Sequence, residues 1–163
     1  MTLKDQNYAQ YYLVQEMMGT VPTVEKFDPH CADFVADSIR RTGAVMFTGE
    51  GSSRIMPAKN ARRKALQLGL KVNFQNEGSR QAMEYDLSGY TVLLDSNSGR
   101  TKEVLALATL LKQQGHTEAY SLSANPDTPL EKVCVKGHVL CCGWEQAVAA
   151  TKALDANATS VDN

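Results

Sequence analysis

An α/β fold, with a parallel sheet between two layers of helices, is predicted by three features of the sequence. Short apolar runs at residues 44–47, 90–94 and 117–122 have the length of buried strands and are bounded by glycines or polar turns. Longer stretches between them carry apolar residues at helical spacing, as in residues 102–111. The polar segments that follow the strands, Gly49-Glu50-Gly51-Ser52-Ser53, Asp95-Ser96-Asn97-Ser98-Gly99-Arg100-Thr101 and Gly143-Trp144-Glu145, then fall on one edge of the sheet, where ligands bind in open parallel sheets.

Taken in order, a first helix is expected over residues 3–18, with Tyr8, Tyr11, Tyr12, Leu13, Met17 and Met18 forming an aromatic, apolar side that reads as a core-packing stripe. Gly19, Pro22 and Pro29 interrupt that pattern, so residues 1–28 read as an arm laid against the domain or a partner subunit. A second helix runs over residues 29–41, with Asp28 as its cap, Pro29 in its first turn, and Phe34, Val35 and Ile39 on one side. After the strand at residues 44–47, a helix is expected over residues 56–68, with Pro57 near its start and Gly69 as terminator. A short alternating strand follows at residues 71–75, then a polar loop, a helical turn at residues 80–85 and the strand at 90–94. The helix from Lys102 is closed by Gly115, and residues 125–129 form a loop able to start a helical turn at Leu130. Residues 139–142 read as the last strand, residues 143–154 as the last helix, and residues 155–163 as a polar tail.

Composition sets the bounds on function. A chain of 163 residues is long enough for one domain with a sizeable core. With 17 Lys plus Arg against 18 Asp plus Glu, it has no general pull toward nucleic acid or an anionic membrane. Cys31, Cys134, Cys141 and Cys142 show no CxxC spacing and sit among apolar residues, which reads as buried or half-buried thiols in a reducing compartment. The first residues lack a signal-peptide pattern and no apolar run is long enough to span a bilayer, so a cytoplasmic protein is expected.

The chemistry lies in the loops. Gly49 and Gly51 let the backbone turn tightly, but Arg54 stands where a dinucleotide-binding GxGxxG would need glycine, and neither loop ends in the Gly-Lys-Ser/Thr of a nucleotide-hydrolysing loop. Ser96, Asn97, Ser98 and Thr101 are short donors that, with the amides of the following helix, can surround the oxygens of a terminal phosphate. The same residue types also serve as turn formers and caps. Of Arg54, Lys59, Arg62, Arg63 and Lys64, one at most is expected near a ligand. Glu145, in the first turn after the last strand, is either a favourable first-turn acid or a proton carrier. Lys152 lies two turns further along the same face, whereas His116 and His138 are remote from the cluster and read as structural or exposed.

These residues resemble the sugar isomerase, or SIS, domain family over roughly residues 30–154. Gly51-Ser52-Ser53 follows the first strand as in that family. Ser96-Asn97-Ser98-Gly99-Arg100-Thr101 is similar to its Ser-Gln-Ser-Gly-Glu-Thr, and Glu145-Gln146-Ala147-Val148-Ala149-Ala150-Thr151-Lys152-Ala153 to its Glu-x-x-x-Ala-Ser-Thr-Lys-Ala. Asn97 for glutamine and Arg100 for glutamate are departures: one shortens a polar reach, the other reverses a charge. The resemblance implies a three-layer αβα sandwich with a five-stranded parallel, Rossmann-like sheet in residues 29–154, usually assembled into homodimers or higher oligomers. Around Glu145 the pattern looks most like the isomerase halves of glucosamine-6-phosphate synthase and related two-domain isomerases or deglycases. Their second domain would begin near the end of this chain, which reads as one half of such a unit.

By the same resemblance, Ser53, Ser96, Asn97, Ser98 and Thr101 would hold the phosphate of a phosphorylated sugar, with Ser52, Arg100 and Lys152 as additional contacts. Glu145 would move a proton between the carbons in an aldose–ketose interconversion of a phosphosugar, an amino sugar phosphate or a glycated amino-acid phosphate, with no metal or other cofactor. Two other readings remain: a non-catalytic phosphosugar sensor, and a structural domain whose serines only cap helices. Neither a nucleic-acid nor a membrane partner is expected.

Overall fold

The register of the strands explains the architecture. The computed structural model describes residues 6–140, 142, 143 and 145–147. Five strands, β1 (Ala44–Gly49), β2 (Asn73–Gly78), β3 (Thr91–Asp95), β4 (Ala119–Ser123) and β5 (Lys136–Val139), form one sheet in the order β2-β1-β3-β4-β5. All neighbouring pairs are parallel, so every strand ends on the same edge. The central β1, β3 and β4 are buried at every residue, whereas β2 at the edge has only exposed and half-buried positions.

Parallel strands need crossover helices, and these cover both faces. Helices α5 (Ser79–Ala82), α6 (Lys102–Gln113) and α7 (Pro129–Val133) bring Ala82, Val104, Leu107, Leu111 and Leu130 onto Met46, Val92 and Leu94. On the opposite face, α3 (Asp33–Thr42) and α4 (Ser52–Gln67) pack Val35, Ala58 and Ala61 onto Val45, Phe47, Leu93, Tyr120 and Leu122. The result is the expected αβα sandwich with a five-stranded parallel sheet.

Several boundaries differ from the sequence expectation, each for a local reason. The arm contains a short α1 (Gln6–Ala9) and an α2 (Tyr12–Glu25) that passes through Gly19 and Pro22. Pro22 is exposed, and the Thr20 and Thr23 hydroxyls donate to the Glu16 and Gly19 carbonyls around the interruption. The apolar side of α2 is not a core stripe: Tyr12, Met17, Met18 and Val21 are exposed. Asp28 and Pro29 do start the next element, first as a 3-10 turn (Pro29–Ala32), with the Asp28 carboxylate accepting the His30 N–H.

Helix α4 begins at Ser52, four residues earlier than expected, which makes Pro57 a buried interior residue. Gly51, at φ 64° and ψ −140°, supplies the turn that permits this start. The last strand is β5 over Lys136–Val139, ahead of residues 139–142, because pairing runs from Tyr120↔Lys136 to Ser123↔Val139. Of the expected helix over residues 143–154, residues 144 and 148–154 lie outside the described residues. Cys31 and Cys134 are half-buried and Cys142 is buried, as the sequence suggests, and burial pushes the Cys134 thiol up to about 12.

At the amino edge of the sheet a polar network ties α3 to β3 and β4. Glu118 Oε2 accepts from Ser38 Oγ at 2.6 Å and from Tyr120 Oη at 2.6 Å, and Arg41 Nη2 reaches both carboxylate oxygens at 2.9–3.0 Å. Since Ser38 gives its one proton to the carboxylate, it accepts from Thr91 at 2.7 Å. The hydrogen bonds from Ser38 and then Tyr120, with Arg41 adding to them against partial burial, hold the Glu118 carboxyl at about 2. That value lies below the ordinary 4.5, so the stabilisation is complete above about 4.5 and is lost as pH falls toward about 2. Glu118→Gln should therefore lower Tm by about 2–6 °C at pH 7. The gap from wild type should close between pH 4.5 and 2, as read by thermal melts across that range.

Candidate phosphate-binding loop and glutamate

The strand order reverses between β1 and β3, which leaves a crevice beyond their carboxyl ends. Gly49 pairs with Asp95 there, and the two backbones are so close that a Cβ on Gly49 would lie 2.6 Å from the Asp95 carbonyl oxygen. Both loops singled out by composition start from this pair.

The first loop leads directly into α4. Ser52 is exposed and Ser53 half-buried, both in the first turn, and Gly51 offers no side chain to cap the amides of that turn. Glu50 Oε1 accepts the Ser79 N–H at 3.2 Å, and Thr48 Oγ1 meets Ser79 Oγ at 3.1 Å, which fastens this loop to α5. Of the basic residues in α4, half-buried Arg54 is the one in the first turn, and its Nε is buried without a hydrogen-bond partner.

The second loop is held by its own backbone and by its neighbours. Gly99 N–H donates to the Ser96 carbonyl at 2.8 Å, Ala124 N–H to the Asn97 carbonyl at 3.0 Å, and Leu130 N–H to the Gly99 carbonyl at 3.2 Å. Gly99 is left-handed at φ 59°, and a Cβ there would lie 2.3 Å from Thr128 Cβ. Thr128 itself caps α7, accepting the Glu131 N–H at 3.2 Å, so the start of α7 braces the loop.

Within this frame the side chains group unevenly. Ser96, 3% exposed, pairs its hydroxyl with that of Thr101 at 2.8 Å. Thr101, the N-cap of α6, makes no side-chain cap bond, so the first amides of α6 are uncapped like those of α4. Ser98 Oγ accepts the Arg100 N–H at 3.2 Å, and the Arg100 side chain is exposed. Asn97 Nδ2 donates to Glu145 Oε2 at 3.3 Å, joining residues far apart in sequence, while Asn97 Oδ1 is buried without a partner. Ser52 and Ser53 stay with α4, and among the described residues no hydrogen bond joins them to the second loop; Lys152 lies outside the described residues.

Three residues important to this arrangement were not singled out from sequence. Glu50 and Thr128 brace the loops, as described. Glu16 of α2 is 7% exposed and accepts the Gln146 N–H at 2.6 Å. An acid between the tyrosines and methionines of residues 8–18 was the available signal. The two histidines play other parts: His116 Nε2 bonds the Leu87 carbonyl at 2.8 Å and its Nδ1 accepts the Glu118 N–H at 3.2 Å, while His138 is 4% exposed and burial lowers its pKa. A cleft of about 440 Å³ that includes His116 and Glu118 lies at the opposite edge of the sheet. Among the described residues, no three His, Cys, Asp or Glu side chains gather as a metal site.

No protein-family model matches the sequence, and no curated protein matches it significantly. Solved structures do match. The C-terminal domain of glucosamine-fructose-6-phosphate aminotransferase from Francisella tularensis superposes with a TM-score of 0.73 at 18% identity, over 97% of this chain and 48% of that one. The chain thus spans about half the length of that domain. The Vibrio vulnificus NanR protein complexed with ManNAc-6P matches with a TM-score of 0.68 at 18% identity, over 98% of this chain and 61% of NanR. An E. coli CFT073 protein in complex with a phosphorylated sugar matches with a TM-score of 0.62 at 24% identity, over 86% of this chain and 75% of its own. The fold is the SIS-type αβα sandwich of these proteins. No helix among the described residues is long and apolar enough to cross a membrane.

Because the second loop depends on a left-handed glycine against a rigid threonine, Gly99→Ala should destabilise the chain by about 1–3 kcal/mol. Urea unfolding measures the loss, and an unchanged midpoint would mean that the loop does not pack on Thr128.

Proposed function

We propose that the chain is a sugar-isomerase domain, residues 29–154 with an N-terminal arm, that binds a phosphorylated sugar and interconverts its aldose and ketose forms. The supporting observation is the contact between Asn97 and Glu145, which brings an acid to the edge of a loop rich in short hydroxyl donors. In this reading Ser53, Ser96, Asn97, Ser98 and Thr101 and the uncapped amides of α4 and α6 take the phosphate. The Ser96–Thr101 pair has two hydroxyl protons and spends one on its mutual bond, which leaves one to give to a phosphate oxygen. Glu145 takes the proton from C2 of the open-chain aldose while the carbonyl oxygen at C1 gains one, giving the enediol; Glu145 then returns its proton to C1 as the C2 hydroxyl gives up its own to become the ketone, so that one proton passes from C2 to C1 and one from O2 to O1. Hydrogen-bond donors carry the developing charge on oxygen. Ser52, Arg100 and Lys152 are additional contacts, and a second copy or second domain completes the site in a cytoplasmic dimer or larger oligomer. An amino sugar phosphate is the preferred substrate class, with a glycated amino-acid phosphate beside it, consistent with the aminotransferase domain among the structural neighbours.

A second reading has its own support. The NanR neighbour is complexed with ManNAc-6P, and the phosphate loop proposed here would serve a sensor equally well. Hydrogen exchange at C2 across a panel of hexose 6-phosphates separates the two, since a sensor binds without exchange. For the isomerase, Glu145→Gln should cut exchange by at least about 10²–10⁴-fold while phosphosugar still raises Tm by mass action. Unchanged turnover in that variant would remove Glu145 from the mechanism.

A further inference from the structure

Glu16 is a buried acid on a helix whose neighbouring side chains, Tyr12, Leu13, Met17 and Met18, are exposed. Its carboxylate is turned inward onto a segment distant in sequence. Oε1 accepts the Gln146 N–H at 2.6 Å and the Ala147 N–H at 3.3 Å, and Oε2 lies 3.4 Å from the Ala147 nitrogen. A carboxylate buried to this degree is costly unless it receives such donors, and backbone amides are among the strongest it can find. These amides belong to the two residues directly after Glu145. The segment is thus held from two sides: by the arm through its backbone, and by Asn97 through the Glu145 carboxylate at 3.3 Å.

We propose that Glu16 is a positioning residue that sets the Glu145 carboxylate against the serine loop, making the N-terminal arm part of the working site. The geometry stands by itself, while its catalytic consequence rests on the isomerase reading. Proton transfer needs the base within hydrogen-bond reach of a single carbon, and a displacement of about 1 Å can cost about 10²-fold in rate. Glu16 acts on where Glu145 stands and touches no phosphate donor. Its loss therefore lowers kcat and leaves phosphosugar binding nearly intact. A carboxylate that merely attached the arm would lower stability without such a split.

The test uses the full chain with Glu16→Ala, Glu16→Asp and Glu16→Gln, and Val14→Ala as a control for weakening the same helix. Amide hydrogen exchange at Gln146 and Ala147 is followed by NMR, and kcat and KM for C2 proton exchange are measured on the hexose 6-phosphate that the wild type turns over. Glu16→Ala should deprotect both amides and lower kcat about 10–100-fold, with KM changed less than about 3-fold. Glu16→Asp, which keeps the charge but falls short by one methylene, should lose about 10-fold and tests the idea even if the alanine variant does not fold. Glu16→Gln keeps an acceptor oxygen and should recover kcat to within about 5-fold, while Val14→Ala should lower Tm with kcat unchanged. Unaltered amide protection in a folded Glu16→Ala or Glu16→Asp variant, or an unaltered kcat, overturns the proposal. A wild type that binds phosphosugar without C2 exchange overturns the isomerase reading instead, and the amide exchange then decides the placement on its own.

Discussion

The close pairing of Gly49 with Asp95 is the constraint on which the candidate site depends. A parallel sheet brings every strand end to one edge, but only at the reversal between β1 and β3 do the outgoing chains turn to opposite faces and leave a crevice. The two strand ends approach this closely because Gly49 has no side chain: a methyl group there would collide with the Asp95 carbonyl, and the two strands would have to part. Gly51 then turns the chain into α4 at once, and Gly99 does the same work in the loop before α6. Two helices therefore start with uncapped amides beside the same gap, which is the arrangement that favours an anion.

The two edges of the sheet treat their polar groups differently. At the amino edge, Glu118 gathers donors from Ser38, Tyr120 and Arg41, and the hydroxyl chain continues to Thr91 and Thr42. A network satisfied in this way rigidifies the fold. At the carboxyl edge, Arg54 Nε, Asn97 Oδ1 and Asn125 Nδ2 are buried without partners. Each such group costs about 1–3 kcal/mol, a penalty that a polar ligand removes. Among the described residues the amino edge thus satisfies the polar groups of its network, while the carboxyl edge keeps buried ones without partners, which is the contrast on which the proposed ligand site draws. The cleft near His116 lies on the satisfied edge, where the imidazole already uses both nitrogens.

How legible these features are in the sequence follows from burial. The central strands announce themselves as apolar runs because both of their faces are covered, and a parallel sheet follows from them; the number of strands, five, is what the resemblance implied. Strand β2 is harder to place: as an edge strand with the sequence Asn-Phe-Gln-Asn-Glu-Gly, its course to Gly78 is set by pairing with β1 and not by hydrophobicity. Helix bounds were obscured by proline, the end of α2 by Pro22 and the start of α4 by Pro57, since both stand inside helices whose other bonds are sufficient to carry them. The position of the serine loop between β3 and α6 was readable because a polar, glycine-bearing run separates two apolar ones. Its bond to Glu145 and the bond from Glu16 to Gln146 were not, because contacts between distant segments leave no local pattern.

The two departures of the serine loop from the family pattern have different weights in three dimensions. Asn97 is one methylene shorter than glutamine, yet its amide reaches Glu145 at 3.3 Å while its backbone carbonyl is fixed by Ala124. The shorter side chain thus still spans from the loop to the acid. Arg100 carries the larger formal change, a reversal of charge, but its side chain is exposed while its backbone N–H bonds within the loop, to Ser98. At an exposed position such a change of charge acts through a field that salt screens within about 8–10 Å. The short hydroxyls of the loop, Ser96, Ser98 and Thr101, thus keep the family's residue types, while the change of charge falls at the exposed Arg100.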